Sequence, residues 1–169
     1  YPLRRQRQMC IRDSASGDDE LRVREAVEIA AQLRSAPARH PTAVQRDVRG
    51  TLAALALDEH AETRARDLSA GRRQLLALAS ALVGEPDLLV LDEPTSRLDA
   101  RAAVIAWRAL GAATARGAAM LIATHSGREL AALAERVVVM RSTRVHDVRR
   151  IGPMSLLESA VPSATVLGS

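Results

Sequence analysis

The chain has no lysine and no phenylalanine, a single cysteine, and one tryptophan and one tyrosine among its 169 residues. Each shortage excludes something. All 24 basic side chains are arginine, so no ammonium group is available to contact a phosphate. One cysteine, Cys10, excludes a disulfide within the chain, and no cysteine or histidine spacing matches a zinc site. With aromatics at 1 %, the core has to be built from Leu, Val, Ile and Ala. The longest apolar runs fall well short of the ~20 residues that a membrane-spanning helix needs. What is present is ample for a folded domain. Hydrophobic residues make up 47 %, too many for a disordered chain, and the length suits one domain with a real core. The exclusive use of arginine fits a GC-rich genome.

The opening stretch "YPLRRQRQMCIRDS", residues 1–14, has neither a hydrophobic period nor turn chemistry. Residues 4–14 can be back-translated onto the end of a transposon adapter used in DNA sequencing libraries. The expectation is a non-native scar at 1–14, so that Cys10 carries no information and the native chain began earlier. The segment holds four arginines and one aspartate, a net +3 of the formal +4. The remaining +1 implies no polyanion, and no nucleic acid partner is expected.

Beyond it, helices and strands alternate. Val23, Val27, Ala30 and Ala31 in "VREAVEIAAQL" have helical spacing. A break with two prolines follows, then a helix from a Thr42 cap to about residue 57, with Val44, Val48, Leu52 and Leu55 on one face. Ser69 is expected to cap a helix running to Val83 and closed by Gly84. Residues 87–91 form an apolar run of strand length, and residues 99–115 read as a helix. "AAMLIAT" predicts a second buried strand, and Ser126 with Glu129 forms a capping box. "RVVVM", a turn at "RSTR" and residues 145–148 predict a closing pair of strands, and "SLLES" a helical turn or two. Continuous apolar strands between helices predict a mostly parallel sheet covered on both faces.

In such sheets ligands bind beyond the carboxyl ends of the strands. Two adjacent acids, Asp92 and Glu93, end one strand in "LLVLDEPTSRLDA", and His125 ends another. A hard divalent cation takes oxygen ligands, and Mg2+ usually takes one or two carboxylates with waters and phosphates. Asp92 suits that task. Glu93 could orient or deprotonate a water, and His125 could hydrogen-bond a terminal phosphate. Taken singly, each has a plainer use: a strand-end acid commonly caps the next helix, and a lone histidine is commonly just packed. In "DLSAGRRQ", Ser69 and Gly71 open a helix whose free N–H groups and dipole favour an anion, although a plain capped helix has the same appearance.

Together, "LSAGRRQ", "LLVLDEPTSRLD" and "ATH", in that order and spacing, closely resemble the ATP-binding cassette (ABC) ATPases. They are similar to that family's signature motif, its Walker B strand with the D-loop, and its switch-histidine loop. "LRVREAVEIAAQL" resembles the start of the family's helical subdomain, and "RVVVMRSTRVHDV" its closing hairpin. The resemblance implies an α/β fold: a partial P-loop NTPase (ABC ATPase) core with a mostly parallel sheet, plus an α-helical subdomain. The implied division is a helical subdomain at 15–67, the C-terminal half of the ATPase core at 68–150, and a tail at 151–169.

It further implies ATP and Mg2+ as cofactors. Asp92 would hold Mg2+ through water, Glu93 would be the general base of hydrolysis, and His125 would contact the γ-phosphate. Ser69, Ala70, Gly71 and Arg72 would form the signature turn, binding ATP held by a partner subunit, and Asp99 would lie in the loop between subunits. The implied partners are a second ATPase subunit, arranged head to tail, and transmembrane permease subunits met by the helical subdomain. The implied place is the cytoplasmic face of the membrane. The family usually has Gly where Ala70 stands, Gln where Arg72 stands, and Gly or Ala where Arg97 stands. The phosphate loop G-x-x-x-x-G-K-[ST] is not in the 169 residues, so the chain by itself is expected to be inactive. Residues 23–34 and "RDLSAG" lie nearer to exporters than to importers. A soluble ABC-type ATPase acting in translation or DNA metabolism is the alternative.

Overall fold

The structure is a computed structural model that describes the backbone of residues 8–11 and residues 20–34 and 40–150 in full. The chain divides into two compact units, Tyr1–His125 and Ser126–Ser169.

In the first unit, helix α1 (Val23–Arg34) buries Val23, Val27 and Ala31, one residue per turn along a single face. Helix α2 (Pro41–Ala54) buries Val44, Val48 and Leu52. Its cap is His40 rather than the expected Thr42. The His40 side chain accepts from the Thr42 N–H, and Pro41 takes the first helical position, where its missing N–H costs nothing. The helix ends three residues earlier than expected, because Ala56 turns into the left-handed region at φ +53. Two short 3-10 turns, Asp58–His60 and Ala65–Asp67, lead to helix α3 (Ala70–Leu82). Ser69 caps α3, Val83 ends it, and Gly84 at φ +78 closes it, as expected.

Strands β1 (Gln8–Ile11), β2 (Leu88–Asp92) and β3 (Ala119–Ala123) form one parallel sheet in the order β1-β2-β3. Strand β1 falls inside the segment read as an adapter scar and pairs with β2 from Gln8↔Leu88 to Ile11↔Leu91. Helix α4 (Ala100–Ala115) connects β2 to β3, the crossover that parallel pairing requires. It buries small residues, Ala103, Ala106 and Ala113, around Leu110. The core centres on Leu55, Leu57, Leu78, Leu89, Leu91 and Leu110, all fully buried, in keeping with the aliphatic composition. Parallel strands normally lie buried on both faces. The strand expected to be buried at β3 is not: among the described residues it pairs with β2 alone, none of its residues is buried, and Leu121 is 63 % exposed.

Two devices join the helices to the core. The Arg34 guanidinium, at the end of α1, donates to the carbonyls of Ser80, Ala81 (3.3 Å) and Val83 (3.0 Å) at the end of α3. These are carbonyls the helix itself leaves without partners, at the negative end of its dipole. The base of the α1–α2 excursion is closed by main-chain bonds: Ala65 N to Leu21 O (2.9 Å), Val23 N to Thr63 O (2.9 Å) and Arg24 N to Ala61 O (3.0 Å). Ion pairs of Arg22 and Arg24 with Glu62, and of Arg64 and Arg66 with Glu20, overlie that base.

In the second unit, helix α5 (Gly127–Leu133) starts at Ser126, whose Oγ accepts from the Glu129 N–H as the capping box predicts. Strands β4 (Arg136–Arg141) and β5 (Arg144–Arg150) form an antiparallel hairpin. Ser142 and Thr143 both take positive φ, the requirement of a two-residue hairpin turn. The Arg149 guanidinium beside Asp147 holds that carboxyl below its usual range. The helical turn expected at "SLLES" lies outside the described residues.

Candidate functional site

The site grows from the carboxyl ends of β2 and β3. Register pairs Asp92 with Ala123, so the residues after each strand emerge side by side. The Glu93 N–H donates to the Ala123 carbonyl at 2.9 Å and extends the ladder by one bond. The chain then leaves the sheet abruptly. Glu93 has φ +45, a left-handed conformation that costs a non-glycine residue about 1–3 kcal/mol. Pro94, buried, follows it and blocks any further ladder bond.

That turn aims the Glu93 carboxylate at His125. The Nδ1 of His125 lies 2.6 Å from Glu93 Oε1, and the His125 main-chain N–H donates to the same oxygen at 3.0 Å. An ionised carboxylate only accepts, so this contact assigns the proton to Nδ1 and leaves Nε2 open. The His125 side chain is 86 % exposed against 33 % for Glu93, so the ring is open to solvent while the acid is mostly covered. Asp92, one residue earlier, is exposed at the strand tip.

A second group of expected site residues opens α3. The Ser69 Oγ accepts from the Arg72 N–H at 3.3 Å, and Ser69, Ala70 and Arg72 are exposed. A Cβ on Gly71 would stand 3.3 Å from the Arg97 carbonyl oxygen and 3.8 Å from Leu98 Cδ2. Glycine here permits close approach of the helix to the loop after β2. Asp99 caps α4, its carboxylate accepting from the Ala102 N–H at 2.8 Å. The structure thus brings Glu93 and His125 into direct contact, puts Asp92 beside them in sequence, and sets Ser69 and Asp99 at two helix starts.

Sequence reasoning passed over Gln74. Its side chain reaches from the second turn of α3 to the carbonyls of Pro94 (3.1 Å) and Glu93 (3.4 Å). The residue lies inside "LSAGRRQ", but nothing in its type or spacing announces a contact with the other segment.

Among the described residues no three His, Cys, Asp or Glu side chains gather to hold a metal by themselves. That donor set fits Mg2+, which takes few protein ligands and keeps water and phosphate oxygens. Asp92, exposed at the strand tip, is the carboxylate that could offer it an oxygen.

A parallel sheet with adjacent acids and a histidine beyond its carboxyl ends is the arrangement expected from the sequence, and solved structures share the fold. An ATP-binding subunit of an ABC transporter superposes with a TM-score of 0.74 at 22 % identity, covering 87 % of this chain and 60 % of that one. An ATP-binding cassette solved as a dimer in a post-hydrolysis state with ADP and Pi gives 0.70 at 22 %, covering 78 % and 57 %. A model of the ABC transporter family matches residues 2–96, more than half the chain. The chain belongs to that family. It is 39 % identical over 105 residues to the Nod factor export ATP-binding protein I of Burkholderia orbicola (strain AU 1054), covering 62 % of this chain and 34 % of that protein. Identity to the human phospholipid-transporting ATPase ABCA3 is 36 % over 122 residues, 72 % of this chain and 7 % of that protein. The chain therefore spans about a third of the length of the Nod factor export proteins it matches.

Proposed function

We propose that the chain is the part of an ATP-hydrolysing ABC transporter subunit that runs from the helical subdomain through the signature turn, Walker B strand and switch histidine. The observation that carries this reading is the 2.6 Å contact between Glu93 Oε1 and His125 Nδ1 at two adjacent strand ends. Glu93 acts as the general base, taking a proton from the attacking water. His125, its tautomer fixed by Glu93, offers Nε2 to the terminal phosphate. Asp92 holds Mg2+, which neutralises phosphate charge when bound. Ser69, Ala70, Gly71 and Arg72 present the start of α3 to ATP held by a second subunit arranged head to tail, and Asp99 lies in the loop between the two. Residues 15–67 form the helical subdomain that meets the membrane subunits at the cytoplasmic face, and residues 68–150 the core.

Export is the favoured direction, supported by the likeness to the Nod factor export proteins. The phosphate loop is not within these 169 residues, so in this reading the chain alone is inactive. The test is Glu93→Gln in the complete subunit assembled with its partner. Turnover should fall about 10²–10⁴-fold, the usual worth of a general base, while ATP still binds. Near-normal turnover would overturn the reading.

A further inference from the structure

We infer that Gln74 is a positioning residue: its amide fixes the backbone of Glu93, and through it helix α3 ties the phosphate-facing turn at Ser69 to the acid that follows β2. The inference rests on the reading of Glu93 as general base.

Glu93 occupies a conformation that an L-residue adopts only when its surroundings over-determine it. The surroundings here converge on its carbonyl oxygen. Ser96 donates to it twice, from its main-chain N–H at 3.2 Å and its hydroxyl at 3.0 Å. Gln74 Nε2 approaches it at 3.4 Å while donating to the neighbouring Pro94 carbonyl at 3.1 Å. The amide orientation follows from its partners, because two carbonyls can be met only by the NH2 end. Ser96 belongs to the same turn and can only close it. Gln74 comes from another element and so sets the position of that turn relative to α3.

The same helix touches the same loop at a second point. Gly71 packs against the Arg97 carbonyl so closely that a Cβ would stand 3.3 Å from it. One end of the 93–99 loop is therefore held by Gln74 and the other rests on Gly71. Ser69 lies five residues before Gln74, about 7 Å along the helix axis. A displacement of the Ser69 turn is carried by a rigid helix to the carbonyl of Glu93. In the head-to-tail arrangement, Ser69 senses ATP on the partner subunit and Glu93 acts on ATP of its own. Gln74 is then the joint by which occupancy of one site sets the acid of the other.

Two isosteric variants separate this role from plain packing. Gln74→Met keeps shape and helix propensity but removes both donors, and Gln74→Glu turns donors into acceptors facing two carbonyls. In the complete subunit assembled with its partner, Gln74→Met should lower kcat about 2–10-fold, the worth of one net hydrogen bond, with KM for ATP unchanged. Gln74→Glu should lower it further. Amide exchange in the 169-residue chain gives a readout independent of activity. In Gln74→Met, the amides of Ser96 and His125 should exchange faster, while those of α3 stay as they were. Wild-type kcat with unchanged exchange in Gln74→Met would overturn the inference. So would a uniform rise in exchange along α3, which would make the side chain a packing group only. Glu93→Gln, assayed in parallel, tells the two readings apart. Full turnover in that variant strikes the general-base assignment itself. Lost turnover there, beside a fully active Gln74→Met, strikes Gln74 alone.

Discussion

Glu93 accepts two hydrogen bonds from His125 on a single oxygen, one from the ring and one from the main chain. Residues 32 positions apart in the sequence are thus locked to one atom, by bonds that leave the other carboxylate oxygen outside this contact. The pair acts as one device, so its losses should not multiply. We expect His125→Ala and Glu93→Gln each to reduce turnover of the complete subunit severely. The double variant should lie within about threefold of the worse single variant, as for residues that work as a unit. Steady-state ATPase rates of the four proteins form the cycle. Fully multiplicative losses would show two independent roles.

Ser69 caps its own helix, yet in the proposed assembly its hydroxyl and the first N–H groups of α3 serve ATP on the other subunit. Mixed dimers carrying one Ser69→Arg subunit test this. Hydrolysis should fail at the ATP held by the wild-type partner. Failure confined to the mutated subunit's own ATP would contradict the head-to-tail arrangement.

Arg34 terminates α3 from outside, by donating to three carbonyls at its end. Hydrogen bonds from a charged donor are each worth about 1.5–3 kcal/mol, and these share one partly buried guanidinium. Arg34→Ala should therefore destabilise the chain by about 2 kcal/mol, and Arg34→Lys by less, because all three bonds come from the single nitrogen Nη1 and an ammonium keeps three donors on one nitrogen. Urea unfolding followed by the fluorescence of Trp107, the only tryptophan, would measure both. Equal stability of wild type and Arg34→Ala would mean water serves those carbonyls as well.

The 169-residue chain should not bind Mg·ATP in the micromolar range. A phosphate loop works through its backbone N–H groups and a lysine, and this sequence has neither the motif nor any lysine. A charge at the helix start near Ser69 gains only about 0.3–1 kcal/mol, far below the ~8 kcal/mol of micromolar affinity. Isothermal titration with Mg·ATP decides it, and a micromolar isotherm from monodisperse protein would refute the expectation.

Much of the fold was legible because its signals are local. Ser69 and Ser126 cap the helices they precede, since a small polar side chain before an apolar period commonly takes that role, whereas Asp99, read as the first residue of its helix, is its cap. Strands β2 and β3 followed from short runs of branched and aliphatic residues. The cap of α2 was misplaced by two residues, because histidine seldom takes that role and Thr42 is the commoner choice. Strand β1 was not foreseen at all: backbone pairing with β2 leaves no mark in the side-chain pattern of "QMCI". At the site, Glu93 and His125 were visible as residue types at strand ends. Their contact was not, since it depends on the left-handed turn at Glu93. Gln74 and Arg34 escaped for a related reason. Each donates to carbonyls of a distant segment, and a carbonyl is present at every position.

The excursion made by α1 and α2 leaves the core and returns at one place, where the strand-like segment around Leu21 and Val23 lies against residues 61–65. Its two stems are joined where α1 starts and after α2 has ended. Such a closed neck makes the excursion interchangeable in length. Extra turns of helix or a longer bridge between the helices would add little closure entropy, which grows only as the logarithm of loop size, and would leave the exit and entry points where they are. A domain built this way can change the surface it shows while the strands that lead to Asp92, Glu93 and His125 stay untouched.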